Sequence, residues 1–310
     1  MERLNRKGQN ALLVLIVIGI FIVVIFFVLP SFLNGGSNQY SGPLSQGVVV
    51  SAVDIPSSVA PDSTFVATFS ISNNLNGNNA NNVLFCLDDL GLVANTSNTC
   101  LSILSLASGA TLPEKFFLRA PSSSQYGNIP YAQYIGYYLT FSYATGAKQS
   151  VEFASSSSNN YPTPSMASSG QTAGPLEISS TTQSQPVLYG GGGQLADGQL
   201  TISLNDIGSG IVLGNATVYI TIEKTITQFV NVPAEFKLVN STALAETYSI
   251  NQTVGANTAQ LPALTFTLNN TEYNYLTSNS IPYVSSQIQM YVHYTYEEDG
   301  FYPVYFQTQS

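Results

Sequence analysis

Few side chains in this sequence are able to do chemistry, and their spacing limits what they can do. His293 is the sole histidine, and Cys86 and Cys100 are the only cysteines. Around His293 the apolar residues Ile288, Met290 and Val292 alternate with Gln289, Tyr291, His293 and Thr295. A strand with that pattern turns His293 to its solvent side. A lone histidine supports neither a catalytic triad nor a zinc site. Acids cluster twice, as Asp88-Asp89 just after Cys86 and as Glu297-Glu298-Asp299. Paired carboxylates serve glycoside hydrolysis, but adjacent residues on a strand point to opposite faces. Three acids at the tip of a hairpin could hold Ca²⁺ weakly through oxygen ligands, although turn chemistry alone accounts for the same residues. Serines are abundant, yet no base accompanies them and no G-x-S-x-G elbow occurs. The expectation is a protein with no catalytic residue, no cofactor and no metal.

The cysteines suggest structure instead. They lie close together in FCLDDLGLVANTSNTC. Outside a cytosolic compartment their default state is a disulfide, and closing a loop of about 15 residues contributes roughly 3 kcal/mol in the chain-entropy model. Sequons for glycosylation stand at Asn95, Asn215, Asn240, Asn251 and Asn269, about as many as chance supplies in a chain this rich in Asn, Ser and Thr.

The elements that must position these residues read as strands. From Gly47 onward, short apolar and aromatic runs recur between Pro, Gly and Asn clusters such as IPSSVAPDS and NNLNGNNANN. No segment after Leu33 sustains a helical apolar period. The stretch ASSSSNNYPTPSMASSGQTAGP over residues 154–175 reads as a linker or long exposed loop. The expected fold is all-β: one immunoglobulin-like β-sandwich over 47–153 and a second over 176–310. The halves look like copies at their ends. YLTFSYATGAKQSVEF (138–153) and YVHYTYEEDGFYPVYF (291–306) align without gaps, and each reads as strand, Gly-containing turn and strand, a terminal hairpin.

At the other end, residues 11–29 form an unbroken apolar run bounded by Pro30. As a helix it spans roughly 28 Å, close to the ~30 Å hydrocarbon layer of a bilayer. Arg3, Arg6 and Lys7 precede it, and no further Lys or Arg follows until Lys115. The positive-inside bias then leaves residues 1–10 as a cytoplasmic basic flank and places 31–310 outside, with 30–46 as a stalk. Beyond residue 10 only 5 basic side chains face 16 acidic ones, a formal charge of −11. No basic groove for phosphate backbones exists, so nucleic-acid binding is excluded. The partners expected are the lipid bilayer, through 11–29, and other envelope proteins or copies of the same chain.

Two stretches resemble known families. Arg6-Lys7-Gly8-Gln9, followed directly by apolar sequence, resembles the class III leader of archaeal type IV pilins and related surface proteins. The resemblance implies cleavage between Gly8 and Gln9 and a helix retained as a filament core. The Glu that many such helices carry a few residues after the cut is missing, because Asn10, Ala11, Leu12, Leu13 and Val14 stand there. Asp54-Ile55-Pro56 through Leu87 is similar to CARDB-type and related immunoglobulin-like modules of archaeal and bacterial surface proteins. That likeness implies adhesion, scaffolding or interaction, with a pilin-like filament subunit as the alternative.

Overall fold

A computed structural model describes residues 47–307, apart from 76–77, 97, 128, 159–171, 184, 191–194 and 256–257. Among the described residues no helix is long and apolar enough to cross a membrane. The run 11–29, the basic flank, the Gly8–Gln9 junction and the stalk 30–46 lie outside them.

The described residues form one compact unit. Its strands are β1 (Val48–Asp54), β2 (Thr64–Asn73), β3 (Ala80–Leu87), β4 (Ala94–Asn95), β5 (Cys100–Leu106), β6 (Thr111–Arg119), β7 (Tyr131–Ser155), β8 (Leu176–Gln183) and β9 (Val187–Tyr189). They continue as β10 (Gly198–Asp206), β11 (Ile211–Glu223), β12 (Thr227–Asn231), β13 (Lys237–Ser241), β14 (Ala245–Thr253), β15 (Ala259–Gln260), β16 (Leu264–Leu268) and β17 (Tyr283–Phe306), with one α-helix among the described residues, α1 (Asn270–Ser278). An eight-stranded sheet runs β13-β14-β11-β17-β7-β3-β5, with β9 beside β7. A four-stranded sheet runs β1-β2-β6-β4, and a five-stranded one runs β12-β16-β10-β15 with β8 on β10.

Two long strands organise the whole. β7 has 25 residues and β17 has 24, and they pair antiparallel from Tyr283↔Ala154 to Phe306↔Tyr131 without a register shift. At about 3.3 Å per residue that ribbon is roughly 80 Å of continuous strand. Because the register never slips, one face stays inward along its full length. Ile135, Leu139, Phe141, Val151 and Phe153 of β7 are buried, as are Ile288, Met290, Val292, Tyr294 and Val304 of β17. The four-stranded sheet covers one end of that face, where Phe69 meets Phe85, Tyr137 and Tyr302 at ring-centroid distances of 5.2, 6.3 and 5.5 Å. The five-stranded sheet covers the other end, where Phe266 meets Phe153 at 6.1 Å. Between the two covers lies a belt of tyrosine hydroxyls. Tyr143 donates to Ala173 O at 2.9 Å and Tyr296 donates to Asp206 Oδ1 at 3.0 Å, while Tyr294 pairs with Thr145 at 3.1 Å.

This arrangement corrects the sequence reading of the two hairpins and of the two separate domains. The two expected terminal hairpins are not hairpins: 138–153 and 291–306 each lie within one continuous strand, and the two strands pair with each other. Gly146 and Gly300, taken as turn residues, sit mid-strand; a Cβ on Gly300 would collide with the Tyr137 ring, so close approach rather than turning requires that glycine. The halves 47–153 and 176–310 share the eight-stranded sheet instead of forming separate tandem sandwiches. The described ends of the 154–175 stretch are bound to β7: Thr172 N–H donates to Gly146 O at 3.0 Å and Ser155 closes the strand. The described residues also include the short α1, which carries no apolar stripe and is capped by Asn269, whose side chain accepts from Thr271 N–H at 2.8 Å.

Candidate functional site

Asp88 and Asp89 of one acid cluster and Asp299 of the other, far apart in sequence, line one cleft. Its construction begins with the Cys86–Cys100 disulfide, which joins directly opposed residues of β3 and β5 with a Cα separation of 4.1 Å. The disulfide closes the loop that carries Asp88 and Asp89. Leu87 N–H donates to Thr99 O at 2.9 Å across the mouth of that loop. The loop is docked on β7 by two backbone bonds, Asp88 N–H to Gly136 O at 3.0 Å and Gly136 N–H to Asp89 O at 2.8 Å. Gln133, nearly buried, completes the docking: it accepts from Leu92 N–H at 3.0 Å and donates to Leu90 O. Gly91 turns the loop with a φ of +51°, and its N–H donates to Asp89 Oδ1 at 3.1 Å, which orients that carboxylate.

On the far side, β17 supplies Asp299, Gly300 and Phe301, set by the register Phe301↔Gly136 and Gly300↔Tyr137. Asp88, Asp89, Tyr134, Gly136, Tyr137, Asp299, Gly300 and Phe301 line a cleft of about 540 Å³. Tyr134 and Phe301 stand edge to face at 5.0 Å, and they are 58% and 66% exposed. Tyr137 stacks on Tyr302 at 5.8 Å, and its phenol is held far above its ordinary pKa, first by burial and then by Tyr302, Glu298 and Asp299. Among the described residues no ion pair engages Asp88, Asp89 or Asp299. Three carboxylates, two open rings and a neutral phenol make a site that favours positive charge.

The strand assignment changes what the acids can do. Asp88 and Asp89 follow β3 rather than lying on it, so both line the same cleft. Glu297, Glu298 and Asp299 occupy the middle of β17 instead of a hairpin tip. Their side chains therefore alternate, and Glu298 accepts from Ser209 at 2.9 Å while burial raises its pKa. The turn geometry behind a Ca²⁺ site at 297–299 is gone, and among the described residues no group of three His, Cys, Asp or Glu is placed to hold a metal. His293 lies on the uncovered face, edge-on to Tyr291 at 4.6 Å and to Tyr219 at 5.6 Å, and burial lowers its pKa.

The sequons differ in their freedom. Asn240 is exposed on β13. Asn215 and Asn251, also exposed, interlock across β11 and β14: Thr253 donates to Asn215 at 2.8 Å and Thr217 to Asn251 at 3.0 Å. Asn269 uses its amide nitrogen, the atom a glycan would occupy, to donate to Lys224 O at 2.9 Å. Asn95 is half-buried at the end of β4. A second cleft of about 450 Å³ is lined by hydroxyls and amides, among them Ser150, Thr221, Ser285, Gln287 and Gln289. Sequence reasoning missed Gln133, Tyr134 and Phe301. Outward-facing aromatics on strands that otherwise alternate were the signal available for the last two.

No family model matches the chain, and no curated protein matches it. Among solved structures it is similar to the secreted serine protease VesC from Vibrio cholerae, at 11% identity and a TM-score of 0.21. The match covers 87% of this chain and 53% of that one, so the chain spans about half the length of that protein. At this score the likeness bears on neither fold nor chemistry.

Proposed function

We propose that this is a membrane-anchored cell-surface protein of archaeal type that works by contact rather than catalysis. Residues 11–29 act as a single-pass anchor, 1–10 stay in the cytoplasm, and the β unit after the stalk 30–46 projects outward. The observation that carries this reading is the charge layout of the first thirty residues: Arg3, Arg6 and Lys7, then an uninterrupted apolar run, then no Lys or Arg until Lys115. An exterior rich in Asn, Ser, Thr and Tyr, stapled by a disulfide, suits that location. The CARDB-like stretch from Asp54 to Leu87 supports an immunoglobulin-like ancestry for the β unit, with an adhesive or scaffolding role. The cleft beside the disulfide is the surface through which contact is made.

Membrane fractionation with protease digestion of intact cells tests this: fragments of 31–310 should be shaved off while the anchor stays with the membrane. Release of the whole chain in the soluble fraction contradicts it. A second reading, a pilin-like filament subunit, is favoured by Arg6-Lys7-Gly8-Gln9. A mature N-terminus at Gln9 together with recovery in sheared filaments selects that reading over the first.

A further inference from the structure

We propose that β5, the last strand of the eight-stranded sheet, takes up the β5 of a second copy of this chain as an added antiparallel strand, so that two such sheets run on as one. This goes beyond the contact at the cleft and does not depend on the anchor. An edge strand presents a row of N–H and C=O groups ready to pair, and proteins blunt such edges with charges, bulges, short length or a covering group. The other long edges among the described residues carry such a device. β13 has Lys237 and a register shift between Leu238 and Asn240. β1 is shifted between Ala52 and Asp54, and the Tyr302 hydroxyl covers it, accepting from Ala52 N–H at 3.1 Å and donating to Val50 O at 3.2 Å. β12 is shifted between Phe229 and Asn231, and β8 carries Glu177 on a polar outward face.

β5 has none of these. Its sequence CLSILSL holds no charge, Pro or Gly, and it pairs with β3 from Ala80↔Leu106 to Cys86↔Cys100 without a register shift. At about 3.3 Å per residue it offers roughly 23 Å of edge. Among the described residues no hydrogen bond reaches the backbone of residues 101–105 from beyond β3. Leu104 is 82% exposed, and Leu101 and Ile103 are only partly buried. The Cys86–Cys100 disulfide ties the strand to β3, so the edge is held in place before a partner arrives. The strand is also its own complement. Two β5 strands related by a twofold axis at Ile103 overlap in full: Ile103 meets its counterpart, Leu101 meets Ser105 and Ser102 meets Leu104. No like charges are opposed across that pair, and a charged segment of another protein would find nothing on this edge to pair with.

The test follows the purified full-length chain in detergent micelles by sedimentation velocity and amide hydrogen exchange at rising protein concentration. Physiological salt is used to screen the repulsion between exteriors of formal charge −11. The dimer fraction should rise with concentration, and exchange at residues 101–105 should slow with it, while 238–241 on β13 stay unchanged. Leu104→Lys, at a position already open to solvent, should weaken dimerisation by about tenfold or more. Val239→Lys, on the exposed β13 edge, should leave it as it is. Far-UV circular dichroism and an intact Cys86–Cys100 bridge check that both variants fold. A chain that stays monomeric up to about 1 mM, or a dimer that Leu104→Lys leaves unaltered, overturns the proposal. So does slow exchange at 101–105 that does not vary with concentration, since another segment would then cover the edge. Because the measurement is made on isolated protein, a chain found soluble in cells refutes the anchor without altering this result.

Discussion

The two ends of the long β7–β17 ribbon are packed by different chemistry. Under the four-stranded sheet the core is aromatic: Phe69 sits among Phe85, Phe116, Tyr137 and Tyr302 at 5.2 to 6.3 Å. Under the five-stranded sheet it is mainly aliphatic, with Ile178, Leu200, Ile202, Leu204, Val218, Ile220 and Leu264 buried around Phe153 and Phe266. Rings interlock with directional edge-to-face contacts, whereas branched aliphatic chains fill space with little orientation. The aromatic end is also where the strands carry their open rings, and where the disulfide fixes a loop bearing two acids. The difference teaches that one end is built for rigidity around a cleft, while the other serves mainly as core. Tyr143, Tyr294 and Tyr296 separate them, each with its phenol held neutral above its ordinary pKa, chiefly by burial.

The comparison can be broken most forcefully in the cores. Phe69→Ala should cost about 3–5 kcal/mol and Ile202→Ala about 2–5 kcal/mol in denaturant unfolding. Since one sheet joins the ends, either variant should shift a single transition rather than split it in two. Next in size is the disulfide. Reducing Cys86–Cys100 should cost about 3 kcal/mol and remove amide protection at Asp88, whose N–H donates to Gly136 O, while leaving amide protection in β10 and β16 unchanged.

A smaller effect separates the two in-strand glycines. Gly300→Ala should cost about 1–3 kcal/mol because its Cβ meets the Tyr137 ring. Gly146→Ala should be close to neutral, within about 0.5 kcal/mol, because a Cβ there makes only ordinary contact with Tyr291 at 3.5 Å. Equal costs at both positions would remove the close approach at the cleft floor.

The smallest expected effect is that of pH. Burial pushes the Glu246 carboxyl up, but Lys224, Tyr248 and Ser241 outweigh burial and leave it lowered. Its contribution is present above the unfolded carboxylate pKa and is lost as pH falls through the folded value. Glu298 is raised, chiefly by burial, so its sign is opposite: stability is lost as pH climbs from the unfolded to the folded value and regained in acid. His293, lowered by burial, withdraws a little stability as pH falls below its unfolded value. With opposed signs and few ionisable groups, the melting temperature should stay nearly flat from pH 7 to about pH 3. A collapse between about pH 5 and pH 4 would show that other carboxylates are strongly paired.

Much of the strand content was legible in local pattern. The alternation of Ile288, Met290 and Val292 with polar residues marked the covered face, and the runs at Leu200–Leu204 and Leu264–Leu268 fall within strands. What was not legible was long-range pairing. Gly146 and Gly300 look like turn residues because sequence alone does not show that Tyr137 packs across from Gly300. Reading two hairpins there broke each long strand and implied two separate domains. α1 escaped because only Leu276 of its nine residues is buried, so it has no apolar stripe. Asn269 followed three residues later by Glu272 was a capping signature that could have found it. The cleft was half legible: Asp88, Asp89 and Asp299 stood out as acids, but only the pairing of β7 with β17 brings them together.

That pairing is the central claim, and it is tested most directly by its register. Ala144 and His293 stand opposite each other on the uncovered face, and opposed residues of an antiparallel pair have Cβ atoms about 4.5–5.5 Å apart. Ala144→Cys combined with His293→Cys, treated in the full chain with a short thiol–thiol cross-linker, should yield one linked peptide joining the two strands. Ala144→Cys paired instead with Tyr305→Cys, at the far end of β17, should yield none. Absence of the link between the opposed pair would contradict the continuous ribbon.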